Sequence, residues 1–198
     1  MTVAALFVRA DSVYKEMPGV DAWDAERDAR RWPGGSPVVA HPPCRAWGVL
    51  RALAKPRPDE KELARWAVAQ VRRFGGVLEH PDGSTLWSDQ HLPAPGLIDE
   101  WGGRTIRVDQ QRWGHRAEKM TRFYVVGLPY PELVDMLPPP PTTRATHVVC
   151  QSRARKGGRR VCKGMPEWRP ECSKAEREHT PAALAAWLVE VAARCKSR

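Results

Sequence analysis

Two apolar runs with an amphipathic stretch between them organise the first half of the chain. Val38-Val39-Ala40 leads into His41-Pro42-Pro43-Cys44, and Gly75-Gly76-Val77-Leu78 leads into Glu79-His80-Pro81. Between the two, Leu63, Trp66, Ala67, Val71 and Phe74 recur at three- and four-residue spacing, the period of one helix face. Asp59 stands at the expected N-cap with Glu62 at the third helical position, a capping box, and Gly75-Gly76 supplies the stop. Strand, helix, strand is the crossover unit of a parallel sheet, and such sheets take their ligands beyond the carboxyl ends of the strands. The pattern predicts that the Cys44 thiol and the Glu79 carboxylate face one pocket. The competing reading is an ordinary helix–strand pair with an inert thiol and a solvated acid.

The same patterning extends outward. Val3–Val8 reads as a first core strand, a short helix is expected around Ala22–Arg31, and Pro33-Gly34-Gly35 as a turn. His80–Gly103 reads as loop. Arg104–Asp109 alternates like a half-exposed strand, and Arg122–Gly127 like a buried one. The polar loop between them carries Arg112, His115, Arg116 and Lys119. Pro138–Pro141 is a stiff spacer. At the end, Thr180 caps and Pro181 opens a helix whose Leu184, Trp187, Leu188 and Val191 form one apolar face. The expected organisation is an α/β core over 1–137, a Pro-rich linker and basic segment over 138–179, and a helix over 180–198 that packs back on the core. The sheet is expected to be small and mostly parallel, with helices on both faces.

Charge adds a partner. The formal net charge is +9, and ten Lys or Arg against three Glu fall between Arg144 and Arg177. A polyanion, DNA above all, is the simplest partner, with Lys156, Arg159 and Arg160 on its phosphates. A solubilising arm is the alternative. No run of eighteen apolar residues is present, so no membrane span is expected. Five cysteines without regular spacing suit reduced thiols and a cytoplasmic protein, in a bacterial or phage-infected cell. His147, Cys150, Cys162, Cys172 and His179 lack the close pairs of zinc sites, so unliganded thiols are expected rather than a metal.

The order Pro42-Pro43-Cys44, Glu79-His80-Pro81, then Trp113-Gly114 through Lys119-Met120-Thr121-Arg122-Phe123-Tyr124-Val125-Val126-Gly127 resembles the DNA cytosine-5 methyltransferases, in particular compact phage-like members. The stretch Arg177–Leu184 is similar to their C-terminal helix. The resemblance implies a Rossmann-like methyltransferase sheet, Cys44 as nucleophile on carbon 6 of a flipped pyrimidine, and Glu79 as the acid on its ring edge. It implies base or phosphate contacts for His41, Pro43, His80, Arg112, His115, Arg116 and Lys119, and S-adenosylmethionine as donor, with Phe7 and Asp28 on its adenine. Two departures stand out: Glu79 is followed by His80 instead of Asn, and Phe7-Val8-Arg9-Ala10-Asp11 replaces the glycine turn of the cofactor motif. That truncation leaves room for another donor or a partner subunit. An idle DNA-binding relative, and a base-exchange or glycosidic-bond enzyme using Glu79, stay open beside the methyltransferase.

Overall fold

The computed structural model describes residues 1–150 and 161–196, with the backbone alone of 155–156 and 159–160. Its centre is a six-stranded sheet. The strands are β1 (Val3–Leu6), β2 (Val20–Trp23), β3 (Val38–Ala40), β4 (Gly76–Pro81), β5 (Arg104–Asp109) and, after a two-residue β6 (Ala117–Glu118) outside the sheet, β7 (Met120–Val126). They lie in the order β2-β1-β3-β4-β7-β5. The first four are parallel, and β7 runs antiparallel to both of its neighbours. This is the Rossmann-like α/β architecture expected.

Alternate strand residues feed two separate cores, as a period of two requires. Ala4, Leu6, Val38, Ala40, Leu78, Tyr124 and Val126 pack under α1 (Glu60–Phe74), with Ala64, Ala67, Val68 and Val71 of that helix. Val3, Ala5, Val39, Val77, Phe123 and Val125 pack on the other face under α5 (Ala182–Arg194), with Leu184, Trp187, Leu188 and Val191. Burial on both faces is why β3 reads as Val-Val-Ala without alternation. The closing helix therefore packs back on the sheet, and Trp187 locks it there by donating to the Met136 carbonyl at 2.7 Å. Two short helices, α2 (Leu86–Asp89) and α3 (Tyr130–Asp135), follow β4 and β7.

Several local expectations are corrected. No capping box forms at α1: Asp59 makes no side-chain cap bond and faces Arg30 at 3.6 Å, while Glu62 turns to Arg65 at 2.6 Å. Gly75 does cap the helix, at φ 75°, but Gly76 already belongs to β4, where a side chain would overlap the Val38 carbonyl. The helix expected around Ala22–Arg31 is instead the end of edge strand β2 and a 3-10 turn at Ala29–Arg31. Val20–Trp23 pairs with the open edge of β1, and its flanking acids are held by Arg27 and Lys15. β1 stops at Leu6 because Phe7 turns into positive φ, at 61°.

Beyond the prolines, β8 (His147–Val148) pairs in parallel with β6, and β9 (Arg155–Lys156) runs antiparallel to β10 (Arg159–Arg160). α4 (Lys174–Glu178) is closed by a capping box of Ser173 and Glu176. Arg116–Glu176 at 2.6 Å and Arg169–Glu118 at 2.9 Å tie this region to the loop before β7. Among the described residues, no helix is long and apolar enough to cross a membrane.

Candidate active site

β3 and β4 end side by side, and the residues that leave them share one cleft of about 910 Å³. His41, Pro42, Pro43, Cys44 and Arg45 come from the first exit, Glu79 and Pro81 from the second strand. The stretch Phe7–Glu16 after β1 makes a second wall, and Lys119 with Lys174, Arg177, Glu178, His179 and Thr180 makes a third. The pairing of thiol and carboxylate expected from the strand–helix–strand pattern is therefore present.

Glu79 is held on both of its carboxylate oxygens. Its Oε1 accepts from Gln110 Nε2 at 2.9 Å, and its Oε2 faces His41 Nδ1 at 3.3 Å. Burial pushes its pKa up, but the His41 hydrogen bond and the charge of Lys119 outweigh this and hold it at about 2. Cys44 differs. Its side chain is open to solvent, yet it sits in a concave wall whose protein atoms still strip water from a thiolate. That desolvation and the Glu79 charge raise the thiol's pKa, with Lys119 pulling the other way. The resting sulfur is a thiol, so its proton must leave as a substrate arrives.

The loop carrying Cys44 is pinned from outside. The Cys44 carbonyl accepts from Trp47 and Gly48, and Arg45 reaches the fully buried Glu60 at the start of α1. Past that anchor the loop carries Val49, Leu50 and Leu53 in the open, Leu53 at 83% exposure, among Arg45, Arg51, Lys55 and Arg57.

Other residues expected at the site divide clearly. His41, Pro43, Lys119 and Phe7 line the cleft. His80 does not: it follows Glu79 on the strand and so points to the opposite face, fully buried edge-on to Trp87 at 6.3 Å. Neither of its ring nitrogens closes a hydrogen bond, although the Pro43 backbone acts on the ring, and burial lowers its pKa to about 4. Arg112 also lies away, donating to the Pro138 carbonyl. His115 is buried between the Ala117 backbone and the Glu176 carbonyl, and Arg116 is an exposed partner of Glu176. These three residues join the loop to its neighbours; of the four, only Lys119 reaches the cleft. Lys156, Arg159 and Arg160 have side chains outside the described residues.

Two cleft groups escape a reading of the pattern. Tyr14 is 1% exposed and bonds His41 Nε2 at 2.9 Å, and Gln110 is buried behind Glu79. A lone tyrosine in a charged stretch, and a glutamine at the exit of β5, are the only signals they leave.

S-adenosylmethionine does not fit the residues present. Beyond β1, where the family keeps a glycine turn, Arg9 bonds Asp11 at 2.9 Å and Glu178 at 2.7 Å, and His179 bonds Asp11 at 3.1 Å. These charged side chains line the cleft where a cofactor would otherwise meet bare backbone. Asp28 is turned away to cap the 3-10 turn and pair with Arg30, and lines no part of the cleft; Phe7 packs edge-on to Trp66 at 5.8 Å. Among the described residues no group of three or more His, Cys, Asp or Glu is arranged to hold a metal ion. Comparison with protein-family models, with curated proteins and with solved structures gave no match in any of the three.

Proposed function

We propose that this protein is a DNA-modifying enzyme that adds the Cys44 thiolate to carbon 6 of a flipped pyrimidine, activating carbon 5 to take a one-carbon electrophile. The observation that carries this reading is the Cys44 thiol and the Glu79 carboxylate lining one cleft at the exits of adjacent parallel strands. Addition at carbon 6 pushes charge onto the ring edge, and a polar group held at that edge lowers the barrier. Lys119 lies near enough that its charge acts on both Cys44 and Glu79. Since carbon 6 is covered in a duplex, the base must leave the stack. Lys174 and Arg177 on the cleft walls suit the flanking phosphates, and the open Val49–Leu53 stretch suits the gap left behind.

A duplex carrying one 2-pyrimidinone, an electrophilic base with no 4-substituent, tests the reading without any donor. A covalent adduct is expected in the intact-protein mass spectrum and is lost in Cys44→Ala. DNA binding equal in both proteins with no adduct refutes it. That outcome favours the idle DNA-binding protein, the reading to which the raised thiol pKa lends support.

A further inference from the structure

Glu79 is surrounded so that it can only accept. The Gln110 amide that donates to its Oε1 also donates to Thr121 Oγ1 at 3.0 Å, and the Thr121 hydroxyl donates on to the Lys119 carbonyl at 3.3 Å. With its own proton used, Thr121 Oγ1 must accept, which fixes the Gln110 amide nitrogen toward Glu79. On the other side, Tyr14 is fully buried, and burial first and the Glu79 charge second raise its pKa well above that of a free phenol. Its hydroxyl therefore keeps its proton and lies 2.9 Å from His41 Nε2, while His41 Nδ1 lies 3.3 Å from Glu79 Oε2, so the ring is held between the phenol and the carboxylate. Each carboxylate oxygen thus has a nitrogen of its own beside it, Gln110 Nε2 at Oε1 and His41 Nδ1 at Oε2. The groups facing Glu79 are His41, Tyr14, Gln110, Lys119 and Cys44, with His80 behind it on the far side of the strand.

We propose that this site selects a pyrimidine whose ring edge donates at N3, the uracil type, over cytosine, and that Tyr14 and His41 are the positioning residues that set the preference. The inference rests on Cys44 being the nucleophile. A uracil ring offers N3–H to the carboxylate, and addition at carbon 6 moves its charge to O4, where an ammonium such as that of Lys119 stabilises it. Cytosine offers a lone pair at N3 instead. The charge formed on its ring needs a proton there, which a carboxylate does not carry.

Exchange of the carbon-5 hydrogen reads this without a donor. The Cys44 Sγ–C6 bond forms and the enolate takes a deuteron at carbon 5 from D2O. The original proton then leaves carbon 5, and the S–C6 bond breaks to restore the double bond. Duplexes with a single unmodified deoxyuridine or deoxycytidine at one position are compared by mass. Exchange is expected to run about 10- to 100-fold faster with deoxyuridine, the range for a site whose buried polar group is left mismatched by the poorer substrate. Tyr14→Phe should shrink that ratio and shift the pH profile of exchange, since the His41 ring is then no longer held by the phenol, and Glu79→Gln should invert the ratio. Deoxycytidine exchanging as fast or faster overturns the edge preference while leaving Cys44 in its role. A Tyr14→Phe ratio and pH profile equal to those of the parent protein overturn the positioning role. No exchange from either duplex overturns the inference as a whole, and the pyrimidinone adduct then tells whether the Cys44 reading falls with it.

Discussion

His80 should make this protein acid-sensitive well above the pH at which its carboxylates titrate. Its ring is fully buried without a hydrogen bond, and its pKa falls from 6.5 to about 4. Between those two values the unfolded chain binds a proton that the folded chain refuses, so stability falls as pH falls. At pH 5 the 1.5 units below the unfolded value amount to about 2 kcal/mol, with almost nothing lost at pH 7.5. That is a large share of a total of roughly 5–15 kcal/mol. Glu79 acts in the same direction only below its unfolded value of 4.5, because its folded pKa is lowered to about 2. The window from pH 6.5 to 5 therefore separates the histidine from the carboxylates, and a His80 variant separates it from the other five histidines. Urea midpoints at pH 7.5, 6 and 5 should fall steadily in the parent protein and much less in His80→Leu, which fills the same pocket without a titrating ring. A parent midpoint flat over that window, or an equal slope in the variant, would refute the argument and mean that water or a proton reaches the ring in the folded state.

Three further outcomes are expected. Gly76→Ala should cost about 3 kcal/mol or more, or prevent folding, because the new methyl meets the Val38 backbone and φ is 123° there; thermal unfolding reads it. Glu60→Gln should cost about 1–2 kcal/mol, since it removes the buried charge facing Arg45 and Arg57, and it should also slow pyrimidinone trapping by loosening the Cys44 loop. Leu53→Asp should leave the unfolding midpoint unchanged, because the side chain touches little, yet weaken duplex binding about tenfold, measured by fluorescence anisotropy at fixed salt.

The chain spells out its centre better than its rim. β3, α1 and β4 are legible because each obeys one rule over its whole length: continuous apolar residues where both faces are covered, and a clean helical stripe where one is. That order places Cys44 and Glu79 together. β2 is hidden because Val20-Asp21-Ala22-Trp23 carries an acid on an edge and is followed by another, Asp24; Arg27 neutralises the first and Lys15 the second, and a short stretch so charged does not look like a strand. The cations of the 110–119 loop mislead for the opposite reason. Arg112, His115 and Arg116 look available in sequence, but carbonyls and Glu176 reach them through contacts made after Pro138. Likewise the buried bonds from Tyr14 to His41 and from Gln110 to Glu79 join residues 27 and 31 positions apart, which no local pattern encodes.

The packing of α5 also dictates an order of events. Much of one face of the sheet, over Val3, Val39 and Val77, is covered by side chains that begin at Leu184. During synthesis the α1 face can close once β7 has emerged, while the opposite face stays partly uncovered until α5 follows. Sequence separation of this kind slows the last folding step and leaves a sticky half-folded intermediate. A cell making this protein quickly should therefore see chaperones engage it in the interval before α5 has emerged and docked.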